Sequence, residues 1–411
     1  MTAVMVIRRM NINMIDYKAM LSKSIQNIPP SGIRRFFEIA NIMDNVISLG
    51  VGEPDFKTPL KIRKETIHVL ETGNTWYTSN AGDAKLREEI SKYLKRKINV
   101  DYNPNDEVLV TVGGSEGIDL CIRCLVEPGD EVLVVEPSFV CYSPIVNMSG
   151  GKVVNIVTKK ENEFKLTAEE LKEAITNKTK LLILPFPNNP TGAIMNRDDL
   201  ETIANILKET NIIVLSDEIY SELTYSSRHV SITEIDGMKD RTIIINGFSK
   251  AFAMTGWRLG YAVGHRDIIT QMLKLHQYAI MCAPIISQMG AIKALQDCED
   301  EIVVMREEYN IRRKYIVNKL NDIGLDCFEP LGGFYAFPDI KSTNMSSEKF
   351  CQKLLESEKV AVVPGNAFGN SGEGFVRISY CYSMDHIIEA MRRIDRFVNN
   401  LKLGGKSSWM K

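Results

Sequence analysis

No stretch of the sequence approaches the roughly 18 consecutive apolar residues of a membrane span. The opening residues, Met1–Met10, carry two arginines but no apolar run of the kind a secretory signal needs. Charge of one sign is missing too. Fifty Lys plus Arg stand against 52 Asp plus Glu, a formal charge of −2, so nothing calls for nucleic acid or an anionic membrane as a partner. Cysteine is sparse, with eight residues at irregular spacing, which excludes a disulfide framework and points to the reduced thiols of a cytosol. The five histidines are scattered without metal-ligand spacing, so no metal is expected. Cys121 and Cys124 form one CxxC with no second pair to complete a zinc site, and read as neighbours on a helix. There is no internal repeat and no low-complexity tract. The expectation is a soluble, cytoplasmic enzyme of small molecules, in which residues before about Asn13 have little structural role.

What is present is ordinary globular composition, 44% hydrophobic and 25% charged, enough for a large core. Short apolar runs recur through the middle of the chain: Val108–Val112, Val132–Val135, Leu181–Leu184, Ile212–Leu215 and Ile243–Ile245. Such runs suit strands buried on both faces of a parallel sheet. Amphipathic stretches lie between them, as in the i, i+3, i+4, i+7 stripe of Leu200, Ile203, Ala204 and Leu207. This alternation predicts an α/β fold, a doubly wound, mostly parallel sheet over residues 48–284. From Ile285 to about Arg313 the pattern is helical. Strand-like pieces follow at Phe334–Phe337 and Val360–Val363, punctuated by Gly332-Gly333 and Pro364-Gly365. Residues 1–47 and 285–411 are therefore expected to form a smaller α+β domain, with a contribution from Ile33–Ile42 and a frayed end at Lys402–Lys411.

Ligands of open α/β sheets bind beyond the carboxyl ends of the strands, and chemistry collects there. Gly113-Gly114-Ser115-Glu116-Gly117 follows the first run, either a backbone cradle for a phosphate or a plain tight turn. PNNPTG (Pro187–Gly192) follows the third run, SDEIY (Ser216–Tyr220) the fourth, and Asn246-Gly247-Phe248-Ser249-Lys250 the fifth, with Gly256-Trp257-Arg258-Leu259-Gly260 beyond. Singly each has a dull explanation: Asp217 as a helix cap, Asn189 as a turn residue, Lys250 as a surface lysine. Together they place a phosphate cradle, an acid, an amide, a tyrosine, a lysine and an arginine at one sheet edge. A lysine there, among small and apolar residues, would have its ammonium pKa lowered and could form an imine. Pyridoxal phosphate (PLP) is the cofactor that needs that combination.

The ordered set PNNPTG, SDEIY and SKAFAMTGWRLGY resembles the class I/II aminotransferases, fold type I of the PLP enzymes. The likeness runs from Ile47–Phe56 to Val376–Tyr380. Within the family, SDEIYSEL, LKLHQY and GEGFVRISY are similar to bacterial N-acetyl-L,L-diaminopimelate aminotransferases. The resemblance implies that Lys250 forms the imine and moves the proton, and that Asp217 pairs with the ring nitrogen. Tyr220 and Asn189 would hydrogen-bond the phenolic oxygen, and Phe139 would stack on the ring or simply fill core. Arg258, the backbone of Gly114, Ser115 and Glu116, and Ser249 would hold the phosphate. The family often has a serine where this chain has Gly247, so one side-chain contact is expected to be missing. Tyr77 resembles a tyrosine that reaches the phosphate from the neighbouring subunit, which implies a homodimer. Arg377, helped by Asn189 and Gly52, would grip the substrate carboxylate.

The implied reaction moves an α-amino group from an amino acid to a 2-oxo acid, 2-oxoglutarate being the expected acceptor, by a ping-pong course. Some aspartate enzymes of this subgroup carry a lysine directly after the Gly-Gly pair; Ser115 stands there. Arg34 and Arg35 either meet a second substrate carboxylate or are simply solvated. A carbon–sulfur β-lyase of the same fold would use the same Lys250 and Asp217. An aminotransferase-like sensor domain is disfavoured, because the roughly 40 residues ahead of the core are too few for a DNA-binding domain.

Overall fold

The computed structural model describes residues 15–26, 28 and 43–407. The expectations for residues 1–13, for Ile33–Ile42 and for Arg34 and Arg35 fall outside them. Residues 1–30 make one unit and residues 31–411 another. In the first, two helical turns cover Tyr17–Met20 and Lys23–Gln26, and the Asp16 side chain caps the former by accepting from the Lys18 and Ala19 amides.

The second unit is built on a seven-stranded sheet. Its strands are β2 (Val108–Thr111), β3 (Glu131–Glu136), β4 (Lys152–Val157), β5 (Thr179–Leu184), β6 (Ile213–Asp217), β7 (Thr242–Gly247) and β8 (Gly260–Val263), in the order β2-β8-β7-β6-β5-β3-β4. Only β8 is antiparallel to its neighbours. The carboxyl ends of β2, β3, β5, β6 and β7 therefore share one edge, where the sequence motifs emerge. The five apolar runs all fall on strands. Two strands lay outside those runs. β4 is an edge strand whose residues are mostly part-exposed, so it lacks a continuous apolar signature. β8 is a four-residue piece opening on a glycine.

Along β3 and β5 the side chains divide between two faces. Val132, Val134, Leu181 and Ile183 join Leu215, Ile243 and Ile245 in one core, under helices α3 (Gly114–Leu125), α4 (Tyr142–Met148) and α7 (Arg266–Ala279). Leu133, Val135, Leu182 and Leu184 point the other way, onto Leu200, Ile203, Ala204 and Leu207 of α6 (Arg197–Lys208). The predicted stripe is thus the buried face of α6, which starts at a capping box between Asn196 and Asp199. Each such buried aliphatic side chain contributes about 1.5–3 kcal/mol. Cys121 and Cys124 lie on α3, one turn apart, as expected, and both are free thiols.

Helices α1 (Leu60–Glu71), α2 (Ala84–Ile98) and α8 (Ile285–Asp297) pack on the β2–β8 end of the sheet. Helix α9 (Glu299–Asp322) then leads to two small sheets. One pairs β1 (Ile47–Ser48) with β10 (Val360–Ala361) in parallel; the other is antiparallel, in the order β11 (Val363–Pro364), β12 (Val376–Ser379), β9 (Tyr335–Ala336). They share a core with α9, α10 (Ser347–Glu358) and α11 (Met384–Ser407). The expected fraying of Lys402–Lys411 is corrected for residues 402–407, while residues 408–411 lie outside the described residues. The α11 backbone stays helical through Ser407, despite two glycines, as the continuation of a 24-residue helix anchored by Ile387, Ile394 and Phe397 in the core. Among the described residues, no helix is long and apolar enough to cross a membrane.

Candidate active site

A cavity of about 340 Å³ opens at the carboxyl edge of the large sheet. Among the described residues, every site residue named from sequence lines it except Glu116 and Tyr77.

Asp217 ends β6 and is 7% exposed. Its carboxylate accepts from the Tyr142 hydroxyl at 2.7 Å and the Ile219 amide at 3.2 Å. Burial nevertheless pushes its pKa up to about 6, and the charge of Glu218 adds to the rise. A buried carboxyl so disposed, with no cation bonded to it among the described residues, suits a cationic partner arriving with a ligand.

Lys250 follows β7, where the chain leaves the sheet. Its Nζ donates to the Gly52 carbonyl at 2.7 Å. Burial pulls its ammonium down to about 8, and the charges of Arg377 and Arg258 act in the same direction. Tyr220, 4% exposed, lies beside it, with 5.9 Å between Nζ and the ring centroid. The Tyr220 hydroxyl is 2.9 Å from that of Tyr335. Asn189 sits in a turn that its own neighbours build. Asn188 Oδ1 accepts from the Thr191 amide at 3.1 Å and hydroxyl at 2.9 Å, and the Phe186–Pro187 and Asn189–Pro190 peptides are cis.

At the other end, helix α3 begins at Gly114, inside the glycine-rich pentapeptide that follows β2. Gly113 has φ +81°, and a Cβ there would stand 2.7 Å from Arg258 Nη2, so glycine alone lets the guanidinium come this close. The free N–H groups of the first turn, from Gly114, Ser115 and Glu116, and the helix dipole favour an anion. Arg258 itself holds a left-handed backbone, φ +52°, and its Nη1 donates to the Thr255 carbonyl at 3.1 Å. Such a conformation costs an ordinary residue about 1–3 kcal/mol and tends to persist where function requires it. Ser249 lines the same space. A side chain at position 247 has no room, since a Cβ would meet Gly260 Cα at 2.9 Å, so the missing serine is matched by closer packing of β7 on β8. The Glu116 side chain turns away from the cavity and takes the Val112 amide and His276 Nδ1, the latter at 2.7 Å.

Arg377 on β12 is 4% exposed and forms no ion pair among the described residues. Nη1 donates to Asn189 Oδ1 at 2.9 Å and Nη2 to the Gly50 carbonyl at 2.6 Å, while Nε is buried without a partner. Its guanidinium lies over the rings of Tyr335 and Phe368, at 4.3 and 4.6 Å. A buried, incompletely bonded guanidinium is a receptor for a carboxylate. Phe139 meets Tyr142 edge-on at 6.0 Å. Tyr77 stands apart, 80% exposed beside Trp76, and the Thr75–Tyr77 segment faces residues 282–286 across a surface depression.

Sequence reasoning missed Tyr142 and Tyr335. Neither sits in a motif, and their partners lie 75 and 115 residues away in the chain. The one available signal was a polar aromatic within an otherwise apolar, buried segment.

Residues 44–394 match the family model described as aminotransferase class I and II. A putative aminotransferase, YugH, of Bacillus subtilis is 49% identical over 92% of this chain and 98% of its own. An aspartate aminotransferase of Pyrococcus abyssi is 44% identical over 93% and 99% of the two chains. A probable N-acetyl-LL-diaminopimelate aminotransferase of Bacillus subtilis is 42% identical over 92% and 96%. Among solved structures, an aromatic aminotransferase from Pyrococcus horikoshii superposes with a TM-score of 0.86 at 42% identity, covering 90% of this chain and all of that one. The chain belongs to the class I and II aminotransferases, and its fold is the fold type I expected from the sequence. The resemblance read from the motifs is thereby confirmed, and its activity is PLP-dependent amino-group transfer.

The residues present fit PLP. The α3 N-terminus and Arg258 suit its phosphate, Asp217 suits a protonated ring nitrogen, and Lys250 suits its aldehyde. Tyr220 and Asn189 flank the space between.

Proposed function

We propose that this chain moves an α-amino group between an amino acid and a 2-oxo acid, with L-glutamate and 2-oxoglutarate as one substrate pair. Each named side chain then has a task. Asp217 keeps the ring nitrogen of PLP protonated. Arg258, Ser249 and the first-turn amides of α3 fix the phosphate, and Tyr220 and Asn189 fix the phenolic oxygen. Bound PLP supplies an electron sink for negative charge at the substrate Cα. Lys250, whose ammonium pKa burial brings down to about 8, would hold the aldehyde end of PLP with its neutral amine. The same Nζ, once free, would take the proton from the substrate Cα as a base of well-matched strength. Arg377 receives the α-carboxylate through its free Nε edge, which selects α-amino acids and orients the Cα–H bond. Arg377 holds the Gly50 carbonyl and Lys250 the Gly52 carbonyl, so residues 50–52 would close water out of the cavity as substrate binds.

The observation that carries this reading is the meeting of three mismatched groups in one cavity: a buried carboxyl, a desolvated lysine and an unpaired guanidinium. We further propose that residues 48–284 form the cofactor-holding domain, and that residues 1–47 and 285–411 form a smaller discontinuous domain that contributes Arg377 to the substrate clamp. The exposure of Trp76 and Tyr77 supports a two-fold homodimer in which Tyr77 of the partner subunit completes the phosphate site. The cytoplasm is the proposed compartment and amino-acid metabolism the proposed setting, a reading the aminotransferase names of the relatives support.

Absorbance spectroscopy tests the reading. PLP-loaded protein loses its visible band on addition of L-glutamate and regains it with 2-oxoglutarate. A visible band indifferent to glutamate assigns the donor elsewhere, and a protein that takes up no PLP overturns the role of Lys250.

A further inference from the structure

Tyr335 lies outside every sequence motif, yet it touches three groups on which the reaction depends. It pairs with Ser379 across β9 and β12, and Arg377 lies two residues earlier on the same face of β12. Its ring faces the Arg377 guanidinium at 4.3 Å, closer than Phe368 on that group at 4.6 Å. Its hydroxyl is 2.9 Å from the Tyr220 hydroxyl. That hydroxyl also fills the space over Gly52, where a Cβ would stand 1.8 Å away, and the Gly52 carbonyl is the acceptor for Lys250 Nζ. Tyr335 is 1% exposed and lines the cavity.

We propose that Tyr335 is a positioning residue with two separable tasks: its hydroxyl aims the Tyr220 proton at the cofactor, and its ring fixes the plane of Arg377 for the substrate carboxylate. The proposal rests on the reading of this cavity as a PLP and amino-acid site. The hydroxyl argument is a count of protons. Two phenols in contact share two protons, and one of them spans the 2.9 Å gap. When Tyr335 donates, the Tyr220 proton is free to turn toward the phenolic oxygen of PLP, and the chained bonds strengthen each other. Burial holds both phenols in their protonated forms, Tyr335 pushed up to about 12 and Tyr220 raised well above the usual phenol range. The other charged or titratable groups facing this contact are Arg377, Lys250 and Cys381, whose thiol burial pushes up to about 11. The ring argument is geometric. Asn189 and Gly50 hold two corners of the guanidinium, and an aromatic face fixes its tilt. A phenylalanine would serve the ring task alone, and Phe334 and Phe337 show that this strand region takes phenylalanine readily.

The test uses PLP-loaded Tyr335→Phe and Tyr335→Met beside the wild type. The readouts are the pH midpoint of the visible cofactor band, and kcat and KM for L-glutamate. A Tyr220 proton on the phenolic oxygen favours its anionic form and lowers the midpoint, so losing that aim raises it. Tyr335→Phe is expected to raise the midpoint by about 0.5–1 unit and lower kcat roughly 3- to 10-fold, the range of one hydrogen bond. Its KM stays within about twofold, because the ring remains. Tyr335→Met is expected to raise KM a further ~5- to 30-fold, as the aromatic face is lost. Adding Tyr335→Phe to Tyr220→Phe should move the midpoint no further than Tyr220→Phe alone, since the hydroxyl acts through Tyr220. An unmoved midpoint and kcat in Tyr335→Phe, or additive shifts in the double variant, overturns the hydroxyl task. Equal KM values for Tyr335→Met and Tyr335→Phe overturn the ring task. A wild type that takes up no PLP or does not turn over glutamate overturns the site reading itself, which separates the two failures.

Discussion

Removing one oxygen atom, in Tyr142→Phe, tests the electrostatics of the site more sharply than any deletion of a catalytic group. The ring stays, with its edge contact to Phe139 at 6.0 Å, so packing is preserved. The Asp217 carboxylate loses its 2.7 Å bond and keeps only the Ile219 amide at 3.2 Å. A hydrogen bond to a charged acceptor contributes about 1.5–3 kcal/mol, or about 1–2 pKa units at 1.36 kcal/mol each. Asp217 already sits at about 6, so the variant carboxyl moves to about 7–8.

The consequence for cofactor affinity follows from proton counting. Pairing with a protonated ring nitrogen requires ionised Asp217, and a protonated carboxyl must first give up its proton. At pH 6 half of the wild-type carboxyls are ionised, against roughly one in ten to one in a hundred in the variant. PLP affinity should therefore fall about 5- to 50-fold at pH 6, and the two proteins should converge near pH 8.5. Absorbance titration of cofactor-free protein with PLP at three pH values measures this. A deficit that does not grow as pH falls would refute the reasoning, because a loss independent of pH means damaged packing rather than a displaced proton.

Lys250→Ala should lower kcat by at least ~10²- to 10⁴-fold, the range for a lost general base. It should also abolish fixation of PLP to the chain by borohydride, whereas wild-type turnover would remove Lys250 from the mechanism. Arg377→Ala should raise KM for amino acids and 2-oxo acids alike, by roughly 30-fold or more, because a buried charge partner contributes about 2 kcal/mol or more. Steady-state kinetics showing an effect on one class only would mean the clamp lies elsewhere. Asp217 holds its proton longer in the folded chain than unfolded, where the pKa is 3.8, so ionising it costs folding stability as pH rises from there through about 6. Asp217→Asn should escape that cost, so cofactor-free Asp217→Asn should gain on the wild type by up to about 3 kcal/mol between pH 4 and 7 in urea unfolding. A gap that stays constant across that window would show that Asp217 is not desolvated.

The large sheet and the clustering of motifs were legible because both follow from short-range patterns. A strand buried on two faces must be apolar throughout, as Val132–Val135 and Leu181–Leu184 are, and ligands of such sheets gather at one edge. The edge strand Lys152–Val157 escaped because exposure on one side removes the continuous run. The start of α3 at Gly114 escaped because glycines read as a turn, although here they open the helix. Tyr142 and Tyr335 escaped for a different reason. Their meaning depends on which residues the register brings opposite them, Asp217 for the first, Tyr220 and Arg377 for the second. No local composition encodes that.

The groups that sequence pattern could locate but not characterise share a physical property. Asp217 and Lys250 are both displaced toward their neutral forms, the acid upward to about 6 and the amine downward to about 8. Burial is the first cause in each case, and opposite signs of shift from one cause mean that the cavity penalises charge of either kind. Arg377 cannot respond by losing its proton, and keeps an unpartnered Nε instead. The cavity thus holds an acid, a base and a fixed cation. On the proposed function, a protonated ring nitrogen would meet the acid, an aldehyde the neutral amine, and a carboxylate the cation. Because each cost would fall on a different part of the ligand, cofactor binding would relieve the strain at Asp217 and Lys250 but leave Arg377 waiting. On that proposal the last of the three is met only when an amino acid or oxo acid arrives, so the clamp would discriminate substrates while the rest of the cavity serves the cofactor.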